Sequence, residues 1–164
     1  MSSPTRGIFT NGYGSNTDID AITIASKGNA IVVGRDLFFG GYSTGGASTG
    51  TRGVWAGGYA SAAAAPYTMI STSIRGIDIA SGGHAVEFGN LNSKQFGTYQ
   101  TGTGSVVRGF WMGGADEPNS QAAGENIDMM NLKSGGKAEN WGELSQGRSN
   151  PTAFSDCHGG LGGF

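Results

Sequence analysis

The sequence predicts an all-β protein built from repeats, and three observations support that prediction. One motif recurs along the chain: Arg-Gly, a hydrophobic residue, an aromatic residue, one variable residue, and then Gly-Gly or Asn-Gly. It begins at Arg6, Arg52 and Arg108, and a degenerate fourth copy runs over 158–164. Each complete copy is followed by a short apolar alternation and a glycine-containing turn, which is typical of β-hairpins. No segment carries the sustained 3.6-residue apolar stripe of an amphipathic helix.

The motif predicts a strand that is covered by protein on both faces. Val54-Trp55 and Phe110-Trp111 place large hydrophobic side chains at adjacent positions. Adjacent side chains of a strand point to opposite faces, so both faces must be buried. The glycine pair that follows predicts positive φ or a close backbone approach, where a side chain would clash.

A hairpin is predicted after each motif. Its first strand alternates apolar and more polar residues, at Ile22/Ile24, Ile77/Ile79 and Met130/Leu132. A Ser-x-Gly turn follows, with its glycine at Gly28, Gly83 and Gly136. The return strands end at Val33-Gly34, Phe88-Gly89 and Trp141-Gly142, each soon followed by Leu37, Leu91 or Leu144. The poorly patterned Gly/Ser/Thr-rich segments 37–51, 92–107 and 145–157 are predicted to supply a fourth strand and its loops.

Composition bounds the class of protein. The chain has 164 residues, and glycine supplies 32 of them without a Gly-X-Y period, which excludes collagen. The formal net charge is −2 and no Lys/Arg run exists, so no nucleic-acid partner is expected. The single cysteine, Cys157, cannot form an internal disulfide. Neither a secretory signal nor an apolar stretch of ~20 residues is present, so we expect synthesis in a cytoplasm and no membrane insertion.

The motif order resembles the repeats of a known family. The motifs lie 46 and 56 residues apart, close to the period of ~50 residues of kelch-type propeller blades. Arg-Gly-hydrophobe-aromatic-x-Gly-Gly, then Ile-x-Ile-Ala-Ser-x-Gly, then aromatic-Gly-x-Leu, resembles the kelch-like repeats of virion proteins in marine tailed phages, notably cyanophages. The segment 155–161 also resembles their repeat junctions. The resemblance covers nearly the whole chain and implies a β-propeller-like fold and a role in a virus particle.

Two departures from the pattern make the repeats unequal. Asn11 replaces the first glycine of the pair in repeat one, and Arg75 stands where Asp20 and Asp128 stand in the other repeats. We assign repeat one to 1–50, repeat two to 51–106, repeat three to 107–157 and a partial closing strand to 158–164, within one domain.

Three blades of about four short strands do not close a ring, because propellers have about four to eight. Uncovered edges and faces would favour pairing with another chain. We therefore expect a homodimer with six blades, in which the closing strand pairs into the neighbour's first blade. A homotrimer is the alternative, with nine blades or with three chains intertwined.

Two sets of side chains are predicted to pack the blades. Arg6, Arg52 and Arg108 either form a positive ring for an anionic ligand or, as we favour, stack on an aromatic residue or pair with an aspartate of the neighbouring blade. The aromatic members of the packing set are Trp55, Trp111 and Trp141.

Three tyrosines lie in or near the variable segments, at Tyr59, Tyr67 and Tyr99. Exposed aromatic rings beside small polar residues are typical of recognition surfaces. These tyrosines are therefore candidates for an interface or for binding of a host surface glycan, although a filler role in the loops is the simpler interpretation.

No catalytic, cofactor or metal site is predicted. Cys157 and His158 are adjacent and would point to opposite faces of a strand. His84 and His158 have no zinc-ligand spacing. Paired carboxylates could be considered for glycoside hydrolysis, but we interpret the equivalent pair as turn caps; the carboxylates are Asp18, Asp20, Asp116, Glu117 and Asp128. We expect a non-enzymatic virion structural protein that assembles with itself and with other virion proteins, or alternatively a carbohydrate-binding module.

Overall fold

The fold is known from a computed structural model, which describes residues 1–12, 17–38, 41–60, 71–92, 100–115 and 123–155. These residues form fourteen strands and no helix, which confirms the all-β prediction for the part of the chain described. No helix among them is long and apolar enough to cross a membrane.

Most of the strands form three antiparallel sheets in chain order. Sheet 1 contains β1 (Arg6–Thr10), β2 (Asp18–Thr23) and β3 (Ile31–Arg35). Sheet 2 contains β5 (Gly45–Ser48), β6 (Arg52–Ala56), β8 (Ser73–Asp78) and β9 (Val86–Asn90). Sheet 3 contains β10 (Thr101–Gly104), β11 (Arg108–Met112), β12 (Asn126–Asn131) and β14 (Glu139–Glu143).

Three short strands complete the architecture. The strand β13 (Gly136–Lys137) runs parallel to β9 and so adds a piece of the third repeat to the edge of sheet 2. The strands β4 (Gly41–Tyr42) and β7 (Tyr59–Ala60) form a separate two-stranded ladder. The three sheets are therefore linked by backbone as well as by side chains.

The glycine-rich segments form the first strand of the next sheet. The strand β5 lies within residues 1–50 but pairs with β6 of sheet 2, and β10 pairs with β11 of sheet 3. These two strands pack backbone against backbone, since a Cβ on Gly102 would lie 2.5 Å from the carbonyl oxygen of Gly46. Glycine at this contact lets the strands approach closely and leaves no apolar alternation in the sequence.

Two hydrophobic clusters fill the spaces between successive sheets. The cluster between sheets 1 and 2 contains Ile8, Ile19, Ala21, Trp55, Ile77, Ile79 and Ala85. The cluster between sheets 2 and 3 contains Ala47, Val54, Ala56, Ile74, Leu91, Trp111, Met130, Leu132 and Ala138. Val54 and Trp55 are fully buried in different clusters, which confirms that the β6 strand is covered on both faces.

A register shift recurs at the same place in the pairing of each hairpin. It falls between Ile19 and Asp20 in sheet 1, and at Ile74/Arg75 and Ile127/Asp128 in the other sheets. The extra residue lies on the return strand, at Val33, Phe88 and Trp141, and it is left unpaired as in a β-bulge. The residue after the shift is the position at which the three repeats differ.

Candidate functional site

The contacts between successive sheets repeat along the molecule. We call the contact between sheets 1 and 2 junction 1–2, and that between sheets 2 and 3 junction 2–3. At junction 1–2, Arg6 Nη1 donates to the carbonyl oxygens of Ile79 at 3.0 Å and Ala80 at 2.6 Å. At junction 2–3, Arg52 Nη1 donates to the carbonyl oxygen of Leu132 at 3.1 Å. Ile79 and Leu132 follow equivalent strands, so the two arginines bind equivalent carbonyl groups.

The partners of the arginines differ from those expected from the sequence. The guanidinium carbon of Arg52 lies 4.6 Å from the ring centroid of Phe88, and that of Arg108 lies 5.2 Å from the centroid of Trp141. Both rings belong to the arginine's own sheet, because the aromatic residue of the last strand faces the same junction as the arginine. Among the described residues, the neighbouring sheet contributes backbone carbonyls to Arg6 and Arg52, and neither an aromatic ring nor an aspartate.

Glycine brings the two backbones together at both junctions. At junction 1–2 the amide of Gly83 donates to the carbonyl oxygen of Val33 at 2.8 Å. A Cβ on Gly34 would overlap the carbonyl oxygen of Gly83, and a Cβ on Gly89 would overlap that of Gly136. Any side chain at these two positions would therefore separate the sheets.

Junction 1–2 contains a buried ion pair that follows from the departure at Arg75. Both Arg75 and Asp36 have side chains with no exposed surface, and Arg75 Nη1 lies 2.9 Å from Asp36 Oδ2. The same oxygen accepts from Trp55 Nε1 at 2.9 Å, while Arg75 Nη2 donates to the carbonyl oxygen of Gly57 at 3.0 Å. Burial lowers the pKa of Arg75, and the charge of Asp36 opposes that shift. The carboxylate thus holds an arginine and a tryptophan of the next sheet together.

Junction 2–3 uses different side chains at the same two places. Leu91 occupies the place of Asp36, because the two residues follow the equivalent strands β9 and β3. Their amides donate to equivalent carbonyl groups, Leu91 to that of Thr72 and Asp36 to that of Thr17. Leu37, the leucine that follows the first return strand, therefore stands one residue beyond the place of Leu91. Across the junction, Asp128 replaces Arg75.

The carboxylate of Asp128 binds a backbone amide of the preceding sheet. Its Oδ2 accepts from the amide of Asn92 in sheet 2 at 2.9 Å. This confirms the expected capping of a backbone amide by Asp128. The equivalent Asp20 of sheet 1 is half-buried and has no preceding sheet in front of it.

The outer face of sheet 1 exposes apolar residues at positions that are buried in the other sheets. Phe9 is 55% exposed, whereas the equivalent Trp55 and Trp111 are each 1% exposed. Ile24 is 52% exposed, whereas the equivalent Ile79 is 1% exposed. Sheet 1 therefore has an apolar face of the kind that receives a preceding sheet at both junctions.

The outer face of sheet 3 is uncovered in the same way. Trp141 is 51% exposed and packs edge-on against Phe110, with ring centroids 5.8 Å apart. Within one copy the described chain places no sheet beyond Trp141, so its packing between blades stays a prediction. Arg108 is exposed beside this ring and, among the described residues, has no backbone carbonyl as a hydrogen-bond acceptor.

The tyrosines predicted as recognition residues are only partly described. Tyr59 lies in β7, is half-buried, and packs edge-on against Tyr42 with ring centroids 5.4 Å apart. Tyr67 and Tyr99 lie outside the described residues. The Tyr42–Tyr59 pair is thus the part of that candidate surface that has a defined geometry.

Groups that could carry chemistry do not converge within the described part of the chain. No cluster of three or more His, Cys, Asp or Glu side chains there is placed to hold a metal ion. His84 is exposed between β8 and β9. Other candidates fall outside the described residues: Asp116, Glu117, Cys157 and His158.

Two shallow depressions mark the rims of the junctions. One of about 460 Å³ lies beside Arg6 and Asp78, and the other, of about 350 Å³, lies beside Arg52 and Lys133. Both arginines already bind carbonyl groups there, so the depressions belong to the junctions and lack a convergent set of free polar groups.

Comparison with known proteins gives a fold likeness. No protein-family model and no curated protein sequence matches the chain. The chain is similar to the solved structure titled "Structure of YjhT", with a TM-score of 0.65 and 14% sequence identity. The match covers 85% of this chain and 42% of that chain, so this chain spans less than half of the length of YjhT. At this identity the likeness concerns the fold alone.

Proposed function

We propose that the chain is a non-enzymatic structural protein of a tailed-phage particle, built from kelch-like propeller blades. It serves as a capsid decoration or as a tail- or fibre-associated component, and it is assembled in the host cytoplasm into the virion. It acts by covering its outer sheet faces with copies of itself and with neighbouring virion proteins.

The observation that carries the proposal is the pair of uncovered outer faces. Phe9 and Ile24 on sheet 1, and Trp141 on sheet 3, are about half exposed, whereas equivalent positions inside the molecule are buried or half-buried. Large apolar residues grouped on a surface are typical of protein–protein contacts. The repeat motifs, which resemble those of phage virion proteins, support the particle as the place where these faces are covered.

Labelling of purified particles tests this function. Antibodies raised against the recombinant chain are expected to label intact particles of the phage that encodes it, as seen by immunogold electron microscopy. Particles of a deletion mutant that lacks the gene are the matched control. A chain that is abundant in infected cells but absent from gradient-purified particles would overturn the virion role.

A second candidate function, glycan binding, is supported by the Tyr42–Tyr59 pair. Half-buried aromatic rings in an edge-on pair provide a rigid amphipathic platform on which a sugar ring can stack. Glycan arrays are expected to show binding that Tyr59→Ala reduces at least about tenfold, as loss of an aromatic hot spot would. Phe154→Ala, at an aromatic residue that is 89% exposed elsewhere on the surface, is the matched control. Binding that is equal in both variants, or no binding at all, would exclude this surface as a lectin site.

A further inference from the structure

The two junctions define a template for a third contact. Each junction has an arginine on the face that one sheet turns towards the next sheet in the chain. The facing side of that next sheet supplies a backbone carbonyl group that accepts a hydrogen bond from the arginine. Each also buries an aromatic residue of the motif strand and an aliphatic residue that follows the hairpin strand. The outer face of sheet 3 has the first half of this template, and the outer face of sheet 1 has the second half.

We infer that sheet 3 of one copy docks head to tail on sheet 1 of a second copy, through the contacts used at junction 2–3. This inference rests on the proposed function in that it specifies how the chain assembles with itself. The arginine at the new junction is Arg108, which stands where Arg6 and Arg52 stand, and its acceptor is the carbonyl group of Ile24, which stands where those of Ile79 and Leu132 stand.

The apolar surfaces of the two faces complement each other. Phe9 and Ile24 of one copy take the places of Trp111 and Leu132, which are both 1% exposed at junction 2–3. Trp141 of the other copy takes the place of Phe88, which packs against the cluster at that junction. Docking thus covers the large hydrophobic residues that both outer faces expose.

The residues at the places of Asp36 and Arg75 differ between the two junctions, and they select this direction of docking. Leu144 stands at the place of Asp36 and Leu91, because its amide donates to the carbonyl oxygen of Glu125 at 2.6 Å in the equivalent bond. Asp20 stands at the place of Arg75 and Asp128. A leucine facing an aspartate is the combination that junction 2–3 already uses.

Leu144 and Asp20 therefore belong to the junction 2–3 type. Asp20 accepts from the backbone amide of Ser145 in the partner, as Asp128 accepts from that of Asn92. Two copies of sheet 1 placed face to face would instead bring two Asp20 carboxylates together, which is unfavourable in a low-dielectric interface.

The hairpin turn of sheet 1 departs from the template, because Lys27 and Gly28 lack the positive φ of their counterparts Gly82 and Gly83. Charge explains how Lys27 is accommodated. Lys27 stands in the hairpin turn where Gly82 and Gly135 approach the preceding sheet. The edge strand β14 of sheet 3 presents two exposed carboxylates, Glu139 and Glu143. In the docked pair, Lys27 of one copy lies along β14 of the other copy, and its charge pairs with the carboxylates of that strand.

Two copies close the assembly. Each chain contributes three sheets, so a dimer with two identical head-to-tail junctions is a six-bladed ring, within the range of about four to eight blades that propellers adopt. Heterologous contacts give closed rings when the rotation between copies closes, and here every sheet then has a neighbour on both faces.

Substitutions that introduce the aspartate–arginine pair of junction 1–2 at positions 144 and 20 test the contact between Leu144 and Asp20. Leu144→Asp places two carboxylates in the new junction, and Asp20→Arg places an unpaired arginine there. Each single variant is expected to weaken the dimer at least about 100-fold, as like-charge or unpaired buried groups do. The double variant recreates the Asp36–Arg75 pair between copies and is expected to dimerise.

Mixing the two single variants makes the test specific for head-to-tail docking. An equimolar mixture forms a heterodimer with one wild-type junction and one junction that joins the introduced aspartate to the introduced arginine. Native mass spectrometry is therefore expected to show a heterodimer near twice the mass of 16.7 kDa, while each variant alone is monomeric. The control is Ile31→Glu, because Ile31 is 59% exposed on the other face of sheet 1, and this variant is expected to dimerise normally.

Several results would overturn the inference. A wild-type chain that is monomeric at every concentration excludes the docking, and a trimer excludes the two-copy ring. Single variants that dimerise like the wild type exclude the contact between residues 20 and 144. Particle labelling is independent of these measurements, so a monomeric chain that is found in particles overturns the docking but leaves the proposed function standing.

Discussion

Junction 1–2 and junction 2–3 share their backbone contacts but bury different pairs of side chains. In the first, Asp36 and Arg75 form a fully buried ion pair, which also holds the indole of Trp55. In the second, Leu91 takes the place of the acid, and Asp128 takes the place of the base and binds a backbone amide. The arginine–carbonyl bond and the glycine contact are common to both junctions.

The difference separates residues that contact backbone atoms of the next sheet, which are the same in each repeat, from residues that contact a side chain there, which vary with that side chain. Arginine and glycine act on backbone atoms, which every repeat provides, and so they recur in each sheet. Arg75, by contrast, binds the Asp36 side chain of the preceding sheet, so these two residues must change together. A buried charge without its partner is costly, and this links position 36 to position 75.

The largest expected effect comes from breaking the ion pair. Arg75→Met leaves the buried Asp36 carboxylate without its cation and should lower the free energy of unfolding by about 3–5 kcal/mol. Asp128→Asn is the matched change at junction 2–3; it keeps an oxygen acceptor for the amide of Asn92 and should lower the same quantity by about 1 kcal/mol. Urea unfolding followed by tryptophan fluorescence measures both variants. Equal losses would contradict the distinction between the junctions.

A smaller effect is expected where the junctions are alike. Gly34→Ala places a methyl group on the carbonyl oxygen of Gly83 and should lower the free energy of unfolding by about 1–3 kcal/mol, as overpacking does. Gly89→Ala meets Gly136 in the same way and should have a similar effect. Gly28→Ala is the control, because a Cβ there has nothing within 4 Å. A stable Gly34→Ala variant would show that the backbones need not approach this closely.

The smallest expected effect is on how stability depends on pH, and it differs between the hairpin turns of the two junctions. The carboxylate of Asp78 accepts from the amides of Ala80 and Ser81 and from the Ser81 hydroxyl. The Ser81 bonds lower its pKa. This contribution to stability is present above the ordinary aspartate pKa of about 3.9 and is lost as the pH falls through the lowered value of the folded state.

The turn at junction 2–3 uses Asn131 in the place of Asp78, and an amide does not titrate. We therefore expect Asp78→Asn to reduce the loss of stability between pH 5 and pH 3, and Asn131→Asp to increase it. Urea midpoints at the two pH values measure this difference. Identical acid sensitivity in both variants would exclude Asp78 as its source.

The repeats and hairpins could be predicted from the sequence because the same pattern of apolar, polar and glycine positions recurs in every copy. The Val54-Trp55 pair predicts burial on both faces, and both residues are buried. The strands β5 and β10 were assigned only as part of poorly patterned segments, because glycines that pack backbone against backbone leave no apolar periodicity. Arg75 was noticed as a departure, but its partner was not found.

The partner of Arg75 was missed because the sequence offers two registers for the end of β3. Aligning leucine with leucine matched Leu37 to Leu91, whereas the hydrogen bond of the amide places Asp36 there. Trp141, which stands at the place of Phe88, is predicted to pack blades together, and it is exposed in one copy. Its exposure depends on whether another sheet follows, which no local pattern in the chain determines.

The residue that follows Ile19, Ile74 and Ile127 also bears on how such a gene can change. Repeated coding segments recombine with one another, and unequal exchange removes or adds whole repeats. Loss of the second repeat would join sheet 1 directly to sheet 3 and bury Asp36 against Asp128, two carboxylates without a cation. The need of Asp36 for the cation of Arg75 therefore fixes which repeat can follow the first.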